Sequence, residues 1–140
     1  ACPCGNAGAP GRGCGNGAFP AGAERSGQGS ASIANDNLVL SISDMPQNQP
    51  VLFFGGGNAV NSGNGNVFGD GLRCAGFGVN RLEVSTSDSS GIASTSSSIS
   101  TRDGVSIGEI RRYQAWYRDP VTTLCGSGFN LSNGLEITWN

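Results

Sequence analysis

The side chains in this sequence that could do covalent chemistry are five cysteines: Cys2, Cys4, Cys14, Cys74 and Cys125. So many cysteines in a short chain are typical of an oxidising compartment, so we expect a secreted or cell-surface protein with disulfides. Cys2 and Cys4 are too close in sequence to bond each other without strain, so one of them should pair with Cys14. Cys74 with Cys125 is the expected long-range pair, and the odd count leaves one thiol unpaired.

Catalysis and metal binding have few candidate groups. The chain has no histidine and no lysine, so the commonest general base and the commonest metal ligand are both missing. The N-terminal cysteines lack the paired C-x2-C spacing of zinc sites. The 10 acidic residues are spread singly and do not form the carboxylate pair of a glycosidase. We expect a protein that is not an enzyme and that holds no metal or cofactor.

The chemistry of non-covalent binding is concentrated in residues 113–120, YQAWYRDP. Aromatic residues make up only 7% of the chain, yet Tyr113, Trp116 and Tyr117 all fall in this stretch, and Trp139 lies near the end of the sequence. Each of these side chains could either pack in the core or stand exposed and stack on a sugar ring.

Four polar features offer more specific interactions. Arg118 and Asp119 are adjacent and could form an ion pair, either as part of a binding site or as a clasp at a strand end. Asp70 lies between two glycines, and as a lone carboxylate it is better suited to a tight turn than to calcium. Asn130 begins an N-x-S/T sequon and could carry a glycan. The hydroxyl-rich residues 94–101 could carry O-linked sugar.

The elements that position these residues are predicted to be β-strands. The 24 glycines disfavour helices, because each interior glycine costs a helix about 1 kcal/mol relative to alanine. Residues 113–119 alternate with period two, which predicts a long central strand that stops before Pro120. Residues 135–139 alternate after an Asn-Gly turn signal, which predicts a terminal strand.

Shorter patterns predict the remaining strands, at intervals of roughly 8–12 residues that are typical of a sandwich or jelly roll. The apolar run 51–54 should be buried on both faces, between two sheets. The serine- and threonine-rich segment 85–100 could form an exposed hairpin. Further strands are predicted at residues 32–35, 38–43, 67–74 and 79–84.

The chain of 140 residues is long enough for one domain. We predict an all-β fold, a single antiparallel β-sandwich or jelly roll at residues 30–140, with a Gly/Cys-rich N-terminal arm at residues 1–29. The net charge of -2 and the scattered arginines disfavour a nucleic-acid partner. No apolar run approaches the length of a membrane span.

Five blocks of the sequence, in order, carry a resemblance to a known family. They are residues 2–6 (CPCGN), 52–54 (LFF), 68–76 (FGDGLRCAG), 113–119 (YQAWYRD) and 129–139 (FNLSNGLEITW). Together they resemble an uncharacterised family of exported bacterial domains that are often found at protein C-termini. The resemblance implies export and a single compact unit, and it implies no activity.

Two non-enzymatic functions fit these observations. The first is an extracellular structural subunit that polymerises with copies of itself into a filament or surface fibre, with the arm docked on a sheet edge of the next subunit. The unpaired cysteine and the charged fraction of only 13% favour this function. The alternative is a secreted carbohydrate-binding module, in which Tyr113, Trp116, Tyr117 or Trp139 would stack on glycans.

Overall fold

The computed structural model of the chain describes residues 1–120 and 125–140. Strands dominate it, with one short helix, α1 (Ile99–Asp103), and a 3₁₀ turn at Val60–Gly63. The strands, in chain order, are β1 (Glu24–Gln28), β2 (Val39–Ser43), β3 (Pro50–Gly56), β4 (Asn58–Ala59), β5 (Asn66–Phe68), β6 (Gly71–Arg73), β7 (Ala75–Gly76), β8 (Asn80–Thr86), β9 (Ala93–Ser94), β10 (Ile110–Arg118), β11 (Phe129–Leu131) and β12 (Leu135–Thr138).

The strands form two main antiparallel sheets, which confirms the prediction of an all-β sandwich. The larger sheet has the order β11-β10-β3-β8, and β12 also pairs with β10. The smaller sheet has the order β1-β2-β9. Two-stranded pairs, β4 with β7 and β5 with β6, lie beside the larger sheet.

Strand β10 is the central strand that the alternation predicts. It pairs with β3 along one edge and with β11 and β12 along the other. Tyr113, Ala115 and Tyr117 point towards the smaller sheet and are fully buried. The strand ends at Arg118, two residues before Pro120, which has no amide hydrogen to donate to a ladder.

The main core lies between the two sheets. Burying each large apolar side chain contributes about 1.5–3 kcal/mol to the stability of the fold. The buried side chains on the inward face of β10 therefore account for much of the packing energy. The outer face of the larger sheet carries a second, smaller cluster, in which Phe54, Ala75 and Leu131 pack together. The main cluster comprises Ala23, Leu38, Leu40, Ile42, Met45, Val51, Phe53, Leu82, Ala93, Ile99, Tyr113, Ala115, Tyr117 and Trp139.

The segment 85–100 differs from the predicted exposed hairpin. It contributes the short strand β9 and the start of helix α1, and Ile99 is 1% exposed. The helix forms because Ser98 caps its N-terminus, with the Ser98 hydroxyl accepting a hydrogen bond from the Thr101 amide at 3.2 Å. Gly104 ends the helix in the left-handed conformation.

Two predicted strands are also wrong in detail. Residues 33–35 form a turn rather than a strand, because the Asp36 amide bonds back to the Ser32 carbonyl at 2.9 Å. Residues 67–74 do not form one strand but lie mostly in the β5-β6 hairpin. The hairpin turns at Gly69, which has a positive φ of 61°.

Arg25 is the most unusual residue of the core. It lies on β1, within the predicted arm, opposite Ile42 of β2, and it is only 2% exposed. Its three guanidinium nitrogens have no hydrogen-bond partner among the described residues. Burial lowers the pKa of Arg25 to about 9, so the side chain remains charged at neutral pH. An uncompensated buried charge of this kind opposes folding.

Replacing Arg25 with methionine should therefore stabilise the protein, by about 1–4 kcal/mol, because the apolar side chain fills similar space without the desolvation cost. The measurement is the free energy of unfolding at pH 7 from urea titration. Arg25→Lys is the matched control, since it keeps the buried charge and should give no such gain. A clearly less stable Arg25→Met variant would contradict this interpretation of the core.

Candidate functional site

The cysteines form two disulfides, Cys2 with Cys14 and Cys4 with Cys125. The pairing of one N-terminal cysteine with Cys14 is confirmed. The predicted pair of Cys74 with Cys125 is wrong, because the arm folds back and places Cys4 beside Cys125. Cys74 is the free thiol, it is half-buried, and burial raises its pKa.

The arm is held to its own chain by hydrogen bonds as well as by disulfides. The Asn6 side-chain amide donates to the carbonyl of Asp70 at 2.8 Å. The Asn16 side-chain amide donates to the Tyr117 hydroxyl at 3.1 Å. The Arg12 guanidinium lies 3.0 Å from the Glu24 carboxylate and also pairs with Asp44. These contacts hold the arm against the sandwich of its own chain.

The expected ion pair between Arg118 and Asp119 is not formed. Successive side chains of an extended chain point in opposite directions, so the two charges diverge. Asp119 is 1% exposed, and its two carboxylate oxygens accept the Gly17 amide at 3.0 and 3.1 Å. Burial raises the pKa of Asp119, partly offset by this hydrogen bond. Arg118 is left exposed beside Trp116.

Asn130 is not available to a glycan in the folded protein. Its side chain is fully buried, and its amide nitrogen donates to the Gly15 carbonyl at 2.9 Å. The sequon therefore serves to join β11 to the arm. Asp70, the other polar position, is buried as well and accepts the Ser127 amide at 3.0 Å, which agrees with its expected place at a turn.

Three of the four candidate stacking aromatics are core residues. Tyr113, Tyr117 and Trp139 are each at most 1% exposed. The Trp139 indole nitrogen donates to the Tyr113 hydroxyl at 2.9 Å, which in turn donates to Asp103 at 2.7 Å. Only Trp116 points outward from the sandwich, so it is the one of the four that could contact a ligand or partner.

Trp116 lies in the middle of a shallow apolar groove on the outer face of the larger sheet. Leu52 is opposite Trp116 on β3, and Val84 is opposite Leu52 on β8, so the three side chains form a row. Two adjoining clefts of about 160 and 190 Å³ flank this row. We call them together the Trp116 groove; its lining includes Leu52, Phe54, Phe68, Val79, Val84 and Trp116 with Arg73, Arg81 and Arg118.

The three arginines of the groove lack the carboxylate partners that three other arginines of the chain have. Arg12, Arg111 and Arg112 form ion pairs with carboxylates. Within residues 1–120 and 125–140, Arg73, Arg81 and Arg118 form none. The groove therefore combines an apolar floor with unpaired positive charge.

Three further large apolar side chains are exposed near the end of the larger sheet where β10 begins. Phe77 is 77% exposed, Ile107 is 79% exposed and Ile110 is 44% exposed. We call these three side chains the sheet-end tips. Phe77 has a φ of 61°, a conformation that an aromatic residue rarely adopts, and it is followed by Gly78 in a tight turn.

Sequence reasoning missed both surfaces. The sequence patterns single out residues that could be catalytic or could stack on sugars, and of these only Trp116 and Arg118 line the groove. The sequence does contain a signal for the exposed apolar turns, because Phe77 lies between two glycines and Ile107 precedes Gly108. A large apolar residue beside glycine in a turn is unlike ordinary loop composition.

The carboxylate of Asp103 is hydrogen-bonded to several side chains near the start of β10. Its carboxylate accepts hydrogen bonds from Arg111 at 2.6 and 2.7 Å, from the Tyr113 hydroxyl at 2.7 Å and from Asn80 at 2.9 Å. Burial raises the pKa of Asp103, but these donors outweigh it and hold the pKa below its usual range.

Comparisons with known proteins do not assign this chain to a family. No family model, no curated protein and no solved structure matches it. The described residues include no group of three or more cysteines or carboxylates arranged to hold a metal ion. Nor does any helix in this part of the chain have the length and hydropathy of a membrane span.

Removing the Cys4–Cys125 disulfide should destabilise the protein strongly. The bond closes a loop with a sequence separation of 121, and losing it should cost about 2–5 kcal/mol because the unfolded chain gains freedom. The Cys125→Ser variant should therefore melt well below the wild type in a thermal scan. Cys74→Ser is the control and should change the melting temperature little; the reverse order of the two variants would contradict the pairing.

Asp103→Asn should weaken the fold at neutral pH by about 3–5 kcal/mol, because Arg111 is 7% exposed and would lose its counter-charge. The folded-state pKa of Asp103 is lowered, so its contribution is complete above the unfolded pKa of about 3.9 and is lost as pH falls below it. Unfolding free energies measured between neutral pH and strongly acid pH should thus converge for wild type and variant. If the difference in unfolding free energy between wild type and variant stays constant down to acid pH, the ionised Asp103 is not the source of the stability. Asp88→Asn, which changes an exposed carboxylate, is the control.

Proposed function

We propose that this chain is an exported structural subunit that self-associates into an extracellular filament or surface fibre. The observation that carries the proposal is the presence of large exposed apolar side chains on two separate surfaces, the Trp116 groove and the sheet-end tips. Monomeric soluble proteins rarely expose extended apolar patches, and those that do generally use them for binding. Val84 in the groove is 69% exposed and Ile107 at the tips is 79% exposed.

The distribution of these surfaces favours an open polymer over a closed dimer. Of the tips, Ile107 and Ile110 precede or begin β10, whereas Trp116 lies six residues along it, a separation of about 20 Å at the rise of an extended strand. A contact between two different patches is heterologous, and it repeats without limit unless its rotation closes a ring.

The sequence suggests that the arm docks on the next subunit, but here the arm is not the connecting element. Its contacts are with its own chain, through Cys2–Cys14, Cys4–Cys125 and the bonds of Asn6 and Asn16. A neighbouring subunit is not needed to order it. The arm therefore stabilises the subunit, and the joint lies on the exposed sheet surfaces.

Export is supported by the two disulfides, which suit an oxidising extracellular environment. The proposal includes no catalytic step, because the chain lacks histidine and lysine and its most strongly bonded carboxylate, Asp103, is engaged by structural donors. A filament subunit needs only stable, repeated contact surfaces.

A second candidate function is supported by Trp116 and the arginines beside it. This ring lies beside the unpaired Arg73 and Arg81, an arrangement that could stack on a sugar and bind its acidic groups. Part of the indole is covered by its neighbours, because it packs edge-to-face against Phe68 and Phe129. The ring-centroid distances are 5.4 Å to Phe68 and 5.7 Å to Phe129. An acidic glycan is therefore the competing ligand for the groove.

The native protein should form oligomers whose mean mass rises with concentration, as measured by light scattering after size-exclusion chromatography. The double variant Phe77→Ser/Ile107→Ser should remain monomeric, because its tips no longer gain from burial. Ile92→Ser, which removes a 44% exposed isoleucine elsewhere, is the matched control and should still assemble. Native protein that stays monomeric up to its solubility limit would overturn the proposal.

A further inference from the structure

We infer that the joint between subunits is the turn at residues 106–109 of one copy seated in the Trp116 groove of the next. This inference rests on the proposed self-association. It goes further by naming both halves of the contact and the chemistry that matches them.

The inserting half is a rigid turn. The Glu109 amide donates to the Ser106 carbonyl at 3.1 Å, and Gly108 takes a φ of 86° that few other residues adopt. The turn is also bonded to the C-terminal strand region, with Gly108 donating to the Trp139 carbonyl at 2.7 Å and Trp139 donating to the Glu109 carbonyl at 2.9 Å. Ile107 therefore projects into solvent from a fixed backbone, so docking it costs little ordering entropy.

The receiving half has the size of a side-chain socket. Its clefts of about 160 and 190 Å³ are each smaller than the roughly 300–1,000 Å³ typical of small-molecule pockets, and together they reach only the lower end of that range. Leu52, Val84 and Trp116 provide an apolar lining for an aliphatic side chain such as Ile107. Either cleft alone therefore has a size suited to one inserted side chain.

The charges of the two halves are complementary. Arg81 and Arg118 at the groove have no carboxylate partner in the described part of the chain. Glu109, two residues after the inserting isoleucine, uses one carboxylate oxygen to accept the Ser106 amide at 2.9 Å. Its charge would face the arginines when Ile107 is seated, and such pairing steers association and fixes its register.

A second copy of this chain is the occupant that these observations favour. One molecule carries both the basic apolar groove and the acidic apolar turn. The roughly 20 Å between Ile110 and Trp116 along β10 prevents the turn from filling the groove of its own chain. Each copy is left with one free turn and one free groove, which is the requirement for head-to-tail growth.

The test mixes two variants that are each defective in one half. Ile107→Asp destroys the inserting turn and leaves the groove intact; Val84→Glu blocks the groove and leaves the turn intact. Both replace exposed side chains, and both carry Cys74→Ser so that the free thiol cannot cross-link. Circular dichroism and thermal melting check that each variant folds.

Each variant alone should be a monomer of 14.2 kDa by light scattering, and an equimolar mixture should give a dimer of twice that mass and nothing larger. The dimer stops there because its remaining surfaces are the two defective ones. Ile92→Asp with Cys74→Ser is the matched control and should assemble like the Cys74→Ser protein.

Three results would overturn the joint. If the Cys74→Ser protein assembles but the variants also assemble alone, or their mixture stays monomeric, the contact lies elsewhere and self-association stands. If the Cys74→Ser protein and the native protein both stay monomeric, the joint and the proposed function fail together. If a monomeric native protein binds an acidic glycan and Val84→Glu abolishes that binding, the groove belongs to a sugar.

Discussion

Strand β10 is hydrogen-bonded along both edges and packed on both faces, and the other layers depend on it. On its outer face the key residue is Gln114, which is fully buried. Its amide nitrogen donates to the carbonyls of Leu72 at 2.8 Å and Ser132 at 2.6 Å, and its oxygen accepts the amides of Cys74 at 2.8 Å and Ala75 at 3.3 Å. One side chain thus joins the segment 72–75 and the residue after β11 to the central strand, with its bonding capacity filled.

The N-terminal arm also stabilises the region around β10. It covers β11 and the end of β10, where Asn16 reaches Tyr117 and the Gly17 amide reaches Asp119. With 24 glycines the unfolded chain has high conformational entropy, so the two disulfides that close the arm over the sandwich are an important source of stability. A subunit stabilised internally can leave apolar residues on its surface for assembly.

The parts of the fold that sequence predicts are those fixed by local periodicity. The alternation of Tyr113 and Tyr117 predicts the central strand and its buried face, and residues 135–139 predict the last strand. Periodicity cannot say which cysteine meets Cys125, because that depends on the path of the arm in space. It also sorts polar residues outward, so it misses Gln114 and Arg25, both buried.

The surfaces proposed for assembly show the same limit. The sequence draws attention to Trp116, but its proposed role depends on Phe68 and Val84, which line the same groove from other strands. In the sequence, Ile107 is distinguished from a core residue only by the glycine that follows it. Only the bonds that fix its turn against Trp139 leave it projecting into solvent.

The most direct measurement of the central claim is cryo-electron microscopy of the native protein at high concentration. Our account predicts filaments of one repeating subunit in which Trp116 is covered by the 106–109 turn of the adjacent copy. Dispersed single particles, or filaments in which Trp116 faces solvent, would contradict it.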